Sequence, residues 1–310
     1  MKRSTLTLSI YAALSICLLI SLWGCTPREA PQQDRSQKIT AVVSILPQRF
    51  FVQRIGGDHV DVEVLVGPGA SPATYEPTPT QMAALEKADV YFRINMPFED
   101  SLLRQIRRSF PDLWVVDVSR DIQLRPIDRF ETVGADTDEG ADHAGQRMDP
   151  HVWLDPTLAA TQARTMTDVL CELAPEKTDT FEDNLHKLLT DLDRVTHQVA
   201  NMIVPIKGRE ILVFHPAYGY FAEYFGLHQV AIEVEGKSPG PRQLAEILQH
   251  ARDNDIQALF VQPQFSSTAP EAIAAEIGAE VISLDPLAPN YLENLVTMAE
   301  KIVAATNATE

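Results

Sequence analysis

Apolar and polar positions along this chain follow two alternating rhythms. Short Val- and Ile-rich runs at Ile39–Ile45, Val60–Val66, Val90–Ile94 and Trp114–Val118, each bounded by turn residues, predict strands. Helical periodicity lies between them at Gln48–Ile55, Thr80–Lys87 and Phe98–Arg108, with Pro47 and Pro79 in first turns, where a helix tolerates proline. The same rhythm returns with strands at Ile211–Phe214, Gln229–Val234, Ala258–Val261 and Val281–Leu284. Helices are predicted there at Tyr218–Phe225, Pro241–Asn254, Ala269–Ile277 and Tyr291–Ala304. Strands alternating with helices mean βαβ units and parallel sheets. The pattern predicts an α/β protein of two lobes, each with a four-stranded mainly parallel sheet flanked by helices.

One uninterrupted helical pattern, from about Thr178 to Val204, separates the lobes. Its apolar positions are Phe181, Leu185, Leu188, Leu192, Val195, Val199 and Met202, a four-three spacing that keeps them on one stripe. About 26 residues at 1.5 Å each make a rod of roughly 39 Å, long enough to cross both lobes and to resist large bending. The expected organisation is a signal peptide over 1–24, a tether over 25–37, a first lobe over 38–176, a linker helix over 177–205 and a second lobe over 206–310.

The N-terminus reads as a processing signal. Lys2 and Arg3 precede an apolar stretch from about Leu6 to Leu22, short of the ~20 apolar residues a spanning helix needs. The stretch ends in Leu22-Trp23-Gly24-Cys25, which resembles a bacterial lipobox, with Trp23 a bulky departure. Lipidation at Cys25 is the expectation; a plain secretory signal or an uncleaved anchor are the alternatives. Cys17 falls in the leader, so Cys171 is left alone and the exported domain must stand without an internal disulfide.

A formal charge of −17 argues against nucleic acid, whose phosphates demand basic surface. Its sharpest local expression is Glu131 to Arg147, ETVGADTDEGADHAGQR, an acidic and almost apolar-free stretch expected to form a surface loop. It carries His143 and runs directly up to His151.

Three segments put a metal-type ligand straight after an apolar run: DPHVWLDP with His151, ILVFHPAYGYF with His215, and VISLDPL with Asp285. Loops leaving the carboxyl ends of strands converge on one crevice in an open α/β sheet. The three residues can therefore meet, although 134 positions (285 − 151) separate the first from the last. Two imidazoles and one carboxylate suit zinc, or a harder ion such as manganese. Taken singly, each is as well explained as a cap, turn or core residue. His186, His197 and His250 fall on helical faces, His59 in a turn and His228 at a strand start. The chain holds no Gly-rich phosphate loop, HExxH pair, Gly-x-Ser-x-Gly elbow or CxxC. Three ligands and an open position also describe hydrolytic zinc sites, so residue types alone leave an enzyme reading open.

These segments, in this order, resemble the zinc- and manganese-binding solute receptors of bacterial ABC importers, the cluster that includes ZnuA-like zinc receptors. The likeness runs from Ile39 onward: ITAVVSILPQRFFVQRIGGDHVDVEVLVGPGASPATYEPTPTQ, then LDPTL after DPHVW, FHPAYGYFAEYFGL and IEVEGKSPGPRQL. The resemblance implies two lobes joined by a rigid helix, one Zn2+ (or Mn2+) at their interface, and His151, His215 and Asp285 as ligands. It further implies a monomeric, non-enzymatic lipoprotein, periplasmic or at the cell surface, held to the membrane through Cys25 and serving an ABC permease in the inner membrane. The chain departs from the pattern at one position. Where the family carries a histidine in Gly-x-x-Pro-His-x-Tyr-Glu-Pro, this chain has Ala73 in GASPATYEP. Three consequences stay open: a weaker zinc site completed by water, a site tuned to another divalent metal, or a member that has left metal transport for adhesion or sensing.

Overall fold

The computed structural model describes residues 38–127, 148–233 and 239–307. The leader, Cys25, the tether and the stretch Glu131–Arg147 with His143 lie outside the described residues. Strands β1 (Ile39–Ile45), β2 (Val60–Val66), β3 (Val90–Arg93) and β4 (Trp114–Asp117) form a parallel sheet in the order β2-β1-β3-β4. Strands β5 (Glu210–Val213), β6 (His228–Ala231), β7 (Ala258–Val261) and β8 (Glu280–Ser283) form a second, β6-β5-β7-β8, also parallel. β7 is buried along its whole length and β1 nearly so, which is why both read as mostly apolar runs, broken in β1 only by Thr40 and Ser44, rather than as alternation.

Nine α-helices are found among the described residues. Around the first sheet lie α1 (Leu46–Gly56), α2 (Pro79–Lys87) and α3 (Glu99–Ser109); α4 (Pro156–Leu173) and α5 (Thr178–Ile203) follow. The second sheet carries α6 (Gly219–Phe225), α7 (Pro241–Asp253) and α8 (Thr268–Ile277), and α9 (Tyr291–Asn307) ends the fold. The predicted stripe on α5 is the buried one: Phe181, Leu188, Leu192, Val195 and Val199 point into the core. This 26-residue helix packs against α1, α4 and α9. Burying that stripe, at 1.5–3 kcal/mol for a large apolar side chain, outweighs any intrinsic helix propensity.

The sequence pattern did not indicate α4. Asp155 caps it by accepting the backbone N–H groups of Thr157 and Leu158, and Pro156 opens its first turn. The last helix is placed unexpectedly too. The ring of Tyr291 lies 5.8 and 4.8 Å from those of Phe50 and Phe51 in α1, and its hydroxyl donates to the Trp153 carbonyl at 2.6 Å. Thus α9 returns to the first lobe, and one continuous apolar core runs through both. A smaller core sits behind the second sheet around Leu212, Ile247 and Leu259.

Two local features shape the ends of the first sheet, one at the amino end of β2 and one at the carboxyl end of β3. A Cβ on Gly56 would sit 2.1 Å from Val60 Cγ2, and Gly57 has φ +54, so the turn into β2 requires glycine at the first position for space and favours it at the second for its backbone. Beyond β3, Asn95 adopts φ +62, held there by Asp117, which accepts from Asn95 and from Arg93. Just behind that turn, the carboxyl group of Glu99 is buried against the Ser44 hydroxyl and accepts the Ile94 N–H at 3.0 Å, with Tyr91 bonded to Ser44 at 2.8 Å.

Burial lifts the Glu99 pKa to about 7, against the pull of its hydrogen bonds from Ser44 and Ile94. The folded chain then holds this proton more tightly than the unfolded one. The associated stability is fully present below the unfolded value of about 4.3 and is lost as pH rises through about 7. Melting temperatures across pH 4 to 8 should fall less steeply on the alkaline side in Glu99→Gln than in the parent chain. Parallel profiles would count against this assignment.

Candidate metal centre

Both sheets direct their carboxyl ends toward one cavity of about 450 Å³. The first lobe contributes Ala73 from the loop after β2, and Asn95 and Met96 from the loop after β3. His151 and Trp153 come from the segment before α4, while His215, Gln262 and Pro286 follow β5, β7 and β8. A crevice outside strand carboxyl ends is where open α/β folds bind ligands.

His151 and His215 meet in this cavity. Their ring centroids are 5.5 Å apart and nearly perpendicular, at 77°. A tetrahedral ion with ~2.0–2.1 Å to each imidazole nitrogen sets two rings about 5 Å apart, so the pair has the spacing a shared zinc requires. Each ring is fixed from behind by a carboxylate. His151 Nδ1–H donates to Asp149 Oδ1 at 2.6 Å, and the same oxygen accepts the His151 backbone N–H at 2.9 Å. His215 Nδ1–H donates to Glu233 Oε2. With Nδ1 occupied, Nε2 is the nitrogen whose lone pair each imidazole can give, the arrangement by which carboxylates orient and strengthen histidine ligands.

Aromatic packing completes the setting: Trp153 lies 5.3 Å from the His151 ring and Phe265 5.3 Å from the His215 ring. Burial pushes the His215 pKa below the usual imidazole range, and the neighbouring His151 adds to the shift; the hydrogen bond to Glu233 opposes it. His215 is therefore neutral, and able to ligate, to lower pH than a free imidazole. The unfolded chain takes up that proton first, so this group's contribution to stability is lost as pH falls below about 6.5.

Asp285 stands beside the cavity through its neighbours Pro286 and Leu287, but its Oδ1 is already engaged. It accepts from Gln264 Nε2 at 2.8 Å and from the Leu287 backbone N–H at 3.0 Å. Among the described residues, no three His, Cys, Asp or Glu side chains are gathered closely enough to hold an ion together. Among the described residues the structure thus joins the two histidines and leaves Asp285 to one side, with bonds to its Oδ1 only. Sequence reasoning had no role for Glu233 behind His215. The signal available was its place two residues beyond β6, the strand that pairs with β5.

Comparison with known proteins shows the family. The family model described as ZnuA, zinc-uptake complex component A, periplasmic, matches residues 41–305. A crystal structure of ZnuA superposes with a TM-score of 0.79 at 38% identity, covering 87% of this chain and 99% of that one. The zinc-binding lipoprotein AdcA of Streptococcus pneumoniae is 27% identical over 320 residues; it covers 100% of this chain, which spans only 61% of AdcA. The high-affinity zinc uptake system protein ZnuA of Bacillus subtilis is 25% identical over 283 residues, 90% of this chain and 88% of the relative.

Proposed function

Because the chain belongs to the ZnuA family, we propose that it is the extracytoplasmic receptor of an ABC importer, capturing zinc between its lobes and delivering it to an inner-membrane permease. The observation that carries this reading is the His151–His215 pair, with both Nδ1 atoms held by buried carboxylates and both rings lining one cavity. His151 and His215 supply the imidazole ligands, and the Oδ2 of Asp285 is the third donor, reached by a small inward turn of its loop. Residues 38–176 and 206–290 act as the two jaws and α5, with α9 packed on it, as their stiff spine, so release depends on the permease disturbing the jaw interface. A covalent lipid on Cys25 holds the mature, monomeric protein at the membrane surface after export. No reaction is assigned to it: the bound ion is cargo, and the carboxylates around it serve to orient imidazoles.

Isothermal titration of metal-free protein with zinc and manganese tests the proposal. Submillimolar zinc binding is expected, tighter than manganese, because two imidazoles favour the softer ion. Binding no tighter than millimolar for either metal would defeat it.

The loop of Ala73 faces the histidine pair across the cavity. Ala73→His should therefore add a donor and tighten zinc binding by at least tenfold in the same titration. An unchanged affinity would mean that the fourth position is already filled from elsewhere.

A further inference from the structure

One phenol joins the two histidine-bearing segments. Tyr220 stands just beyond His215, in the first turn of α6, and its side chain crosses to the segment that carries His151. Its hydroxyl accepts the Arg125 backbone N–H at 3.0 Å and donates to the Asp149 carbonyl at 3.3 Å. The Asp149 N–H donates in turn to the Arg125 carbonyl at 2.8 Å, and beside this pair Pro126 and Met148 form an antiparallel bridge. In an antiparallel ladder two such residues exchange both bonds directly. Here only one bond is direct, and an oxygen from the second lobe stands in place of the other. Tyr220 is 5% exposed, and its removal from water pushes its pKa up to about 12, so the phenol keeps the proton it donates. The Arg125 guanidinium lies over the ring, 5.7 Å from its centre, and pairs with Glu223 of the same helix at 3.2 Å.

This rung holds Asp149, and Asp149 Oδ1 holds His151 through both its backbone N–H and its Nδ1–H. We propose that Tyr220 is a positioning residue for zinc capture, whose hydroxyl fixes Asp149 and so keeps the His151 ring at the spacing from His215 that an ion needs. The inference rests on the zinc-receptor reading and adds to it the contact by which lobe movement alters affinity. With the lobes together the rung is complete, and both imidazoles are held before metal arrives, so less freedom is lost on binding. When the lobes part, the phenol withdraws, and the Arg125 N–H and the Asp149 carbonyl close the rung directly, as in an ordinary ladder. Asp149 then moves toward Arg125 and draws His151 away from an ion still held by His215. Loss of affinity is thus built into the opening movement.

The test is Tyr220→Phe, which removes the hydroxyl and keeps the ring. Zinc Kd is read by titration calorimetry on the metal-free chain, and zinc dissociation by stopped flow into excess chromophoric chelator. Kd should weaken about tenfold, the low end for partners that orient metal ligands, with a matching rise in the dissociation rate. In a His151→Ala background the same change should cost less than about twofold, because no imidazole is left to position. Glu223→Gln, which loses only the outer ion pair of the same helix, should stay within about twofold of the parent. A phenol that merely supports the fold would lower the melting temperature of the metal-free chain and leave the zinc Kd of the folded protein unmoved. That result, an equal loss in both backgrounds, or an equal loss in Glu223→Gln would overturn the proposal while leaving the zinc receptor intact. Zinc binding no tighter than millimolar in the parent chain would overturn both.

Discussion

Replacing His151 and His215 together by alanine is expected to abolish zinc binding, with Kd weakened by about four orders of magnitude. Structural zinc sites bind with roughly 10–16 kcal/mol in total, so one of four donors is worth on the order of 3 kcal/mol, about a hundredfold in Kd. Each single substitution should therefore cost about a hundredfold. Glu233→Gln, which keeps the shape behind His215 but weakens the acceptor for its Nδ1–H, should cost about 10–100-fold. Titration calorimetry reads these steps, and circular dichroism checks that the fold survives. A double variant within tenfold of the parent would remove both histidines from the site.

The second large effect concerns stability. Trp153 is fully buried, its indole N–H donates to the Pro286 carbonyl at 2.8 Å, and its own carbonyl accepts the Tyr291 hydroxyl. It thus ties the segment carrying His151 to the loop after β8 and to the start of α9. Trp153→Ala should lose about 3–5 kcal/mol through the cavity it creates. At ~2–4 °C per kcal/mol for a chain of this size, the melting temperature should drop by roughly 10 °C. Trp153→Phe, which keeps most of the apolar volume, should lose clearly less. Scanning calorimetry decides the matter, and a drop below about 2 °C for the alanine variant would show that the indole carries little of the fold.

Much of the architecture was legible because buried parallel strands leave a coarse signature. β1, β2 and β7 begin and end where the Val-, Ile- and Leu-rich runs do, and β5, β6 and β8 begin one residue earlier than the runs. The helix α4 escaped for a physical reason. Its sequence, PTLAATQARTMTDVLCEL, carries four threonines, and Thr165 and Thr167 are buried. Their hydroxyls donate back to the carbonyls of Thr161 and Ala163, one turn earlier, so positions that look polar face inward. The Asp155-Pro156 start was the cue, and it needed more weight than the apolar pattern.

At the site, the strand-end rule accounts for His215, just beyond β5, whereas His151 follows no strand directly among the described residues and reaches the cavity from the segment before α4. It could not foresee the state of Asp285. That depends on Gln264, in a loop 21 positions earlier, whose side chain reaches across to the carboxylate. The neighbours that finish a site are set by packing between loops, which no single segment encodes.

The return of α9 to Phe50 and Phe51 means that the polypeptide is buckled, its tail fastened over its beginning. A cut after Ile206 would leave an upstream fragment with bare aromatic rings and a downstream one whose final coil has lost its seat. Such pieces should be insoluble when produced singly and recover only when made together, so protein engineers seeking a half-size metal sensor would have to shorten loops instead.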